Sequence, residues 1–228
     1  MTGTQLVQFR KQNKRTQVEA ARELGVSQGY LSLLEKGKRP LTDELRAKAV
    51  WAFHLSPTEM PVSENLFDVQ AVSNDELGTD LATLGYPGYS HMKRSKPKHP
   101  AVVLLSALKG NDREPRDMEA LPWIVLTFSN MNWPRLVKAA KVNDLQNRLG
   151  FVTTVAREVT ESRGDEKTAL KLRRYEAVLE LSMLNREETL CREGMTNAER
   201  KWLVTNRPDS AKRWRLLTDL SPRLENYE

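Results

Sequence analysis

Apolar residues recur at helical spacing along most of the chain, and few stretches show the alternation that a half-buried strand requires. Near the N-terminus, Leu6 and Phe9 lie three residues apart, as do Leu31 and Leu34. A longer apolar stripe, with steps of four, three, four and three residues, consists of Leu145, Leu149, Val152, Ala156 and Val159. This spacing places each set on one face of a helix, so the sequence predicts an all-α protein.

Residues 15–40 have the pattern of two short helices joined by a sharp turn. Gly25 ends the first helix, because glycine adopts the left-handed conformation without steric cost. Ser27 is the predicted N-cap of the second helix, since its hydroxyl can accept an orphan backbone N–H. The residues that point outward from the second helix are Gln28, Gly29, Tyr30 and Ser32. Polar side chains at the exposed start of a second helix suit the reading of base edges in the major groove.

The pattern of this stretch consists of Thr16-Gln17, Ala20-Ala21, Leu24-Gly25-Val26-Ser27-Gln28, Leu31-Ser32 and Glu35-Lys36-Gly37-Lys38-Arg39-Pro40. It resembles the Xre/Cro type, the lambda-repressor-like helix-turn-helix, over roughly residues 4–56. The sequence departs from the family at Ala20, where the family usually has leucine. The resemblance implies a five-helix DNA-binding head whose helix 27–36 reads the major groove. It also implies a homodimer that binds double-stranded DNA at paired half-sites.

The DNA-binding residues that we predict are Thr16, Gln17, Ser27, Gln28, Gly29, Tyr30, Ser32, Lys36, Lys38 and Arg39. Gln28 directly follows the helix cap, and its amide offers the donor and acceptor that match N7 and N6 of adenine. Gln17 begins the preceding helix, where its amide and free backbone N–H groups can contact a phosphate. The alternative is that Gln28 is a plain exposed helix residue, in which case its outward-facing neighbours read the bases.

Positive charge is concentrated at the start of the chain. Residues 1–56 contain ten Lys and Arg against five acids, whereas the remaining 26 bases and 25 acids nearly cancel. A basic N-terminal module on a near-neutral body is typical of a polyanion-binding head.

Breaks in the helical pattern predict three regions, which are a DNA-binding domain at 1–60, an irregular linker at 61–100 and a helical domain at 101–228. Pro57 suits the first turn of a short fifth helix, and Pro61 prevents regular helix. Inside the linker, residues 74–84 form one amphipathic segment with Asn74 as a possible cap. Residues 91–100 carry four bases, two prolines and no acids. They predict an exposed loop, and a basic arm that contacts DNA phosphates is the alternative.

The C-terminal domain is expected to serve dimerisation, sensing or partner binding. Its most apolar window, 118–128, alternates in part, but we favour helix because no second strand-like run lies nearby to pair with it. Gly150 interrupts the apolar stripe, so either packing requires a glycine there or the helix breaks. The Thr196 to Glu199 spacing predicts a capping box. Asp209 is expected to cap a last helix that carries Trp214 and Leu217, followed by a loose tail after Pro222.

Catalytic and metal-binding signatures are absent from the sequence. There is no glycine-rich phosphate loop, no nucleophile elbow and no Cys/His spacing of a metal site, so we predict no enzyme, cofactor or metal. An enzyme with a DNA-targeting head is the less favoured alternative. The single cysteine, Cys191, excludes an intrachain disulfide. With no signal-peptide pattern and no apolar run near 20 residues, a cytoplasmic protein is expected.

The leading interpretation is therefore a sequence-specific DNA-binding transcriptional regulator, most simply a repressor. The alternative is an antitoxin whose head autoregulates its operon while the C-terminal domain binds and neutralises a toxin. A neighbouring gene with a toxic product would favour the antitoxin. The sequence identifies neither the operator nor the effector.

Overall fold

A computed structural model describes residues 1–60 and 64–222 of the chain, and these form two compact units. The first unit comprises 1–60 together with Pro97–His99, and the second comprises 64–96 together with 100–222. Regular structure in both is almost entirely helical, which confirms the all-α prediction. The break predicted at Pro61 and the loose tail predicted after Pro222 lie outside the described residues.

The first unit consists of four α-helices and one 3-10 turn. These are α1 (Gly3–Gln12), α2 (Gln17–Leu24), α3 (Gln28–Glu35), α4 (Asp43–Ala52) and the 3-10 turn Pro57–Glu59. The fifth helix of the predicted head is thus a single turn, and it begins at Pro57 as expected. Helix α1 begins at Gly3. A capping box between Thr2 and Gln5 fixes that start.

Hydroxyl side chains cap every α-helix of the first unit. Ser27 accepts a hydrogen bond from Tyr30 N, which confirms the predicted cap of α3. Thr42 caps α4 in the same way, and Thr16 forms a full capping box at the start of α2. Gly25, with φ of 71°, ends α2 in the left-handed conformation that the sequence predicted. These local signals set the helix boundaries before any tertiary contact is considered.

One apolar core holds these helices together. Its buried members are Leu6, Ala20, Ala21, Leu24, Leu31, Leu34, Leu41, Leu45, Ala49 and Phe53. The apolar face predicted for α3 is therefore confirmed. Trp51 of α4 is 47% exposed, whereas Phe53 is buried and is part of the core.

The second unit contains eight α-helices and four short 3-10 or strand elements within its described residues. The α-helices are α5 (Asn74–Leu84), α6 (Pro100–Lys109), α7 (Pro115–Thr127), α8 (Trp133–Val142), α9 (Gln146–Ser162), α10 (Glu166–Glu180), α11 (Asn197–Asn206) and α12 (Asp209–Arg213). The minor elements include the 3-10 turns Glu64–Asp68 and Pro87–Tyr89, together with the strands β1 (Glu188–Thr189) and β2 (Leu216–Leu217). The two strands pair in parallel. The window 118–128 is helical up to Thr127, as favoured.

The segment 74–84 differs from the linker assignment. As α5 it packs against α6 and α7, and its Leu77, Leu81 and Leu84 are buried. Its apolar face needs that partner surface, so the segment is part of the second unit rather than a connection. The N-cap is Ser73, whose hydroxyl accepts from Glu76 N, and not Asn74.

Helix α9 lies at the centre of the second unit and packs against α6, α7, α8, α10 and α12. Every member of the predicted apolar stripe is buried. Gly150 does not break the helix, because packing requires a glycine there. A Cβ at this position would lie 2.2 Å from the Trp214 ring. That ring is held by a 2.7 Å hydrogen bond from Trp214 Nε1 to Thr154 Oγ1.

The end of the chain corrects one further expectation. Helix α12 ends at Arg213, with Trp214 as its C-cap, and Leu217 lies in β2. Arg215 has a φ of 57°, a left-handed conformation that no helix continues through. The predicted capping box at Thr196 is confirmed. No helix in the described ranges is long and apolar enough to cross a membrane.

Candidate nucleic-acid interface

The ten predicted DNA-binding residues lie at the start of α2, along α3 and in the turn that follows α3. Seven of them are exposed, namely Thr16, Ser27, Gln28, Gly29, Lys36, Lys38 and Arg39. Those that are half-buried are Gln17, Tyr30 and Ser32. A hydrogen bond of 2.8 Å from Gln28 Nε2 to Gln17 Oε1 joins the starts of the two helices. The structure therefore brings the two predicted glutamines together.

Beneath these glutamines lies a buried ion pair that the sequence did not predict. Glu35, at the end of α3, is only 8% exposed, and Arg10 of α1 donates to both of its carboxylate oxygens. The shorter contact, from Arg10 Nε, is 2.5 Å. Arg10 Nη1 also donates to the Arg15 carbonyl, 3.0 Å away. One guanidinium thus connects α1, the approach to α2 and the end of α3.

Gln17 extends this pair to the surface. Its Nε2 donates to Glu35 Oε2 at 2.7 Å, and its Oε1 accepts from Gln28. The four side chains Arg10, Glu35, Gln17 and Gln28 form one hydrogen-bonded series, which we call the glutamine relay. It runs from the inside of the unit to the exposed start of α3.

The charge of Glu35 dictates the orientation of both amides in the glutamine relay. An ionised carboxylate only accepts hydrogen bonds, so Gln17 must present its NH₂ group to Glu35. Its carbonyl oxygen then faces Gln28, which must donate in turn. Gln28 is left with its carbonyl oxygen and one N–H available, and these are an acceptor and a donor side by side. Such a pair can recognise a base edge that carries the complementary groups.

The pKa of the Glu35 carboxyl agrees with this role. Burial raises the pKa, but hydrogen bonds from Arg10 and Gln17 and the positive charges of Arg10 and Lys11 lower it further. The net pKa lies below the ordinary value of 4.5. The carboxylate is therefore ionised at neutral pH despite its burial.

The remaining predicted residues at the starts of α2 and α3 and along α3 have different environments. Gly29 has no atom within 4 Å of the place where a Cβ would stand, so its surface is open. Tyr30 packs partly against the core and has limited freedom. The Thr16 hydroxyl is engaged with Glu19 in the capping box, where it donates to Glu19 Oε2 and accepts from Glu19 N. Ser27 uses only its acceptor for capping, so its hydroxyl hydrogen can still be donated.

The turn after α3 presents three exposed bases. Gly37 has a φ of 69°, and the N–H groups of Lys38 and Arg39 both donate to the Leu33 carbonyl. Among the described residues, Lys36, Lys38 and Arg39 form no salt bridge. Other bases of this unit are neutralised, since Arg15, Arg46 and Lys48 pair with Glu23, Asp43 and Glu44. The turn therefore keeps its positive charge for an external anion.

Arg10 and Glu35 are the residues that sequence reasoning missed. A signal for Glu35 was present, because it lies four residues after Leu31 and thus on the inward face of α3. A carboxylate on an apolar face needs a cation, but nothing in the sequence selects Arg10 from the ten bases of the first quarter. Only the packing of α1 against α3 makes that choice.

The described residues offer neither a metal site nor a reactive thiol. Within residues 1–60 and 64–222, no group of three or more His, Cys, Asp and Glu side chains is placed to hold a metal ion. Cys191 is buried, and its Sγ lies 3.2 Å from the Leu108 carbonyl. Burial raises the pKa of this thiol to about 11, which keeps it protonated and unreactive at neutral pH.

Comparison with known proteins gives one match. Residues 6–48 match a family model described as "Helix-turn-helix". This range contains α2 and α3 and most of α1 and α4. It therefore includes every residue of the glutamine relay and the three bases of the turn after α3. No curated protein and no solved structure matches the chain. Helix-turn-helix domains of this kind bind DNA.

The substitution Glu35→Gln should lower the free energy of unfolding of the first unit by about 3 kcal/mol, because it leaves Arg10 buried without its counter-charge. In the wild-type protein, the stabilisation by Glu35 is fully present above pH 4.5. It is lost as pH falls through the lowered folded-state pKa. The variant should lack this acid dependence. Urea unfolding followed by NMR signals of α1 to α4, at several pH values, measures both effects.

A suitable control is Glu44→Gln, which removes an exposed i,i+4 pair with Lys48 and should change stability by less than about 0.5 kcal/mol. If Glu35→Gln behaves like this control, the buried pair does not hold the unit together.

Proposed function

Residues 6–48 form a helix-turn-helix domain of the Xre/lambda-repressor-like type, and we propose that the protein is a sequence-specific transcriptional repressor built on it. In this proposal α3 lies in the major groove of double-stranded DNA, and α2 crosses the backbone above it. The observation that carries the proposal is the glutamine relay, which leaves Gln28 with an oriented acceptor and donor at the start of α3. A repressor follows most simply, because a bound head occludes its operator.

Gln28 reads an adenine in this proposal. Its carbonyl oxygen accepts from the adenine N6 amino group, while its remaining N–H donates to N7. The hydrogen bond to Gln17 holds the amide in the required orientation before DNA arrives. Gln17 thus has two roles, since it also faces the phosphate backbone from the first turn of α2.

The other predicted residues fix the head on the backbone. Lys36, Lys38 and Arg39 contact phosphates, as their exposure and lack of salt bridges in the described part of the chain favour. Ser27 offers its hydroxyl hydrogen at the start of α3. Thr16 donates its backbone N–H and its hydroxyl to Glu19, so it fixes the start of α2, where the helix dipole also attracts anions. Gly29, Tyr30 and Ser32 lie along α3 and contribute to the shape that meets the groove.

The second unit brings two heads together in our proposal. The outer face of α10 exposes Leu170, Val178 and Leu181, and Leu181 is 90% exposed. At 100° per residue these positions fall within about 80° of arc, so they form one apolar stripe. Burying this stripe against the same stripe of a second copy would join two heads in one assembly, and binding to paired half-sites requires two heads.

The antitoxin alternative uses the same surfaces differently. There the exposed apolar residues of the second unit, which include Trp202 of α11, contact a toxin instead of a second copy. Both functions keep the DNA-binding head. A neighbouring gene whose product is toxic alone separates them, because only the antitoxin needs such a partner.

Gln28→Ala should reduce affinity for the operator by about 1–3 kcal/mol and abolish the preference at one base pair. Gln17→Ala should weaken binding to all sites and also relax the preference at that base pair, because it releases the Gln28 amide. Titration of both variants against the operator and its single-base substitutions checks this result. The operator is first selected from a random DNA pool with the wild-type protein.

Thr42→Ser serves as a control, since it keeps a hydroxyl cap on α4, away from the starts of α2 and α3. Should Gln28→Ala leave every affinity ratio among the sites unchanged, Gln28 is not the reader. If Gln17→Ala leaves those ratios unchanged while Gln28→Ala alters them, the orientation by Gln17 has no role in specificity.

Sedimentation of the full chain should show a dimer, and the double variant Leu170→Lys/Leu181→Lys should sediment as a monomer. Its operator affinity should fall while its preference among single-base substitutions stays the same. Trp202→Lys, on a different helix, is the matched control and should remain dimeric. A wild-type chain that is monomeric at all concentrations tested contradicts the proposed dimer.

A further inference from the structure

The segment 91–96 carries a cluster of cations that the helix-turn-helix domain does not account for. Lys93, Arg94 and Lys96 are exposed and form no salt bridge or side-chain hydrogen bond within the described part of the chain. Many bases of the second unit are neutralised instead, as when Arg157 pairs with Glu176 and Arg213 with Glu180. Three unpaired cations within four residues therefore form a concentrated positive site, which we call the basic segment.

The basic segment is held on a folded support. Before it, the Tyr89 hydroxyl donates to Asp117 Oδ1 of α7 at 2.7 Å. Met92 lies against Gly78 of α5, whose missing Cβ leaves room for the thioether. After Arg94, Ser95 N donates to Thr83 Oγ1 of α5 at 2.8 Å. The backbone is thus anchored on both sides of Lys93 and Arg94, so binding a ligand there requires little further ordering.

Chain connectivity limits how far the basic segment can lie from the first unit. Pro97–His99 belong to that unit, and Lys96 directly precedes them. An extended chain spans at most about 3.6 Å per residue, so the Cα of Lys93 lies within about 14 Å of Pro97. This limit follows from covalent geometry and holds for any arrangement of the two units. The Cα atoms of all three cations therefore lie within about 14 Å of Pro97.

We propose that Lys93, Arg94 and Lys96 form a second DNA-contacting element, which binds the phosphate backbone beside the half-site that α3 reads. This inference rests on the proposed function of the head. Phosphates are the partner because the cations carry no base-reading geometry, whereas duplex DNA offers one negative charge per about 1.7 Å of its axis. The contacts are independent of sequence, so they increase affinity for all DNA alike.

The test compares full-length variants on a random-sequence DNA duplex over a series of NaCl concentrations. The loop variant is Lys93→Gln/Arg94→Gln/Lys96→Gln, and each lost phosphate contact should lower the slope of log affinity against log salt by about 0.9. The slope should therefore fall by up to about 2.7 in total. On a selected operator, affinity should fall while the ratios among single-base substitutions remain unchanged.

The matched control is Lys141→Gln/Lys201→Gln/Lys212→Gln, which removes the same charge from exposed positions on α8, α11 and α12. If the loop variant has the same slope as this control, the inference is overturned and the basic segment serves another purpose. A head variant, Lys38→Gln/Arg39→Gln, separates the two proposals. If it lowers the slope while the loop variant does not, only the second element fails. If the wild-type protein binds no duplex at low salt, both fail.

Discussion

The buried contact between Arg10 and Glu35 is the interaction on which the orientation of Gln17 and Gln28 depends. It joins α1 to the end of α3, and it places a negative charge beneath the exposed start of α3. A charge of this kind is stable inside a protein only when its partners satisfy it. Arg10 and Gln17 provide those partners here. Their hydrogen bonds outweigh the cost of burial, so the pKa of Glu35 lies below its ordinary value.

An ionised carboxylate cannot donate a hydrogen bond, so Glu35 constrains the two amides that lie between it and the surface. Gln17 is fixed by Glu35, and Gln28 is fixed by Gln17, so an internal ion pair sets the donor and acceptor directions at an exposed site. The packing of the three helices thereby determines which hydrogen-bonding groups Gln28 presents at the surface. The apolar core positions α1, α2 and α3, and the glutamine relay converts that position into an oriented amide. A base-reading side chain that is oriented in advance loses less conformational freedom on binding.

The sequence was most informative where structure is decided locally. Caps such as Ser27 and Thr196, the glycine stop at Gly25 and the stripe on α9 depend on neighbouring residues only, and each was predicted. The placement of the DNA-binding residues on α2 and α3 followed from the same signals. Their roles in DNA binding stay predictions.

Long-range contacts were not predictable in the same way. The pairing of Arg10 with Glu35 spans 25 residues, and the sequence offered several equivalent bases. The sequence left open whether α9 breaks at Gly150 or packing requires a glycine there. The Trp214 ring packs against Gly150, so the second alternative is the correct one. Leu217 was assigned to a helix because its spacing fitted one, yet pairing of β2 with β1 determined its conformation. The sequence places α5 in a linker, because the helices against which it packs, α6 and α7, follow later in the chain and local spacing does not identify them.

The most direct test of the glutamine relay is a pH titration of the side-chain amide NMR signals of Gln17 and Gln28 in the full chain. We expect both amides to shift together with one midpoint below pH 4.5, as Glu35 becomes protonated. Glu35→Gln should abolish that midpoint for both signals. If the Gln28 amide does not titrate, or titrates unchanged in the Glu35→Gln variant, the internal charge does not orient the residue that we propose to read DNA.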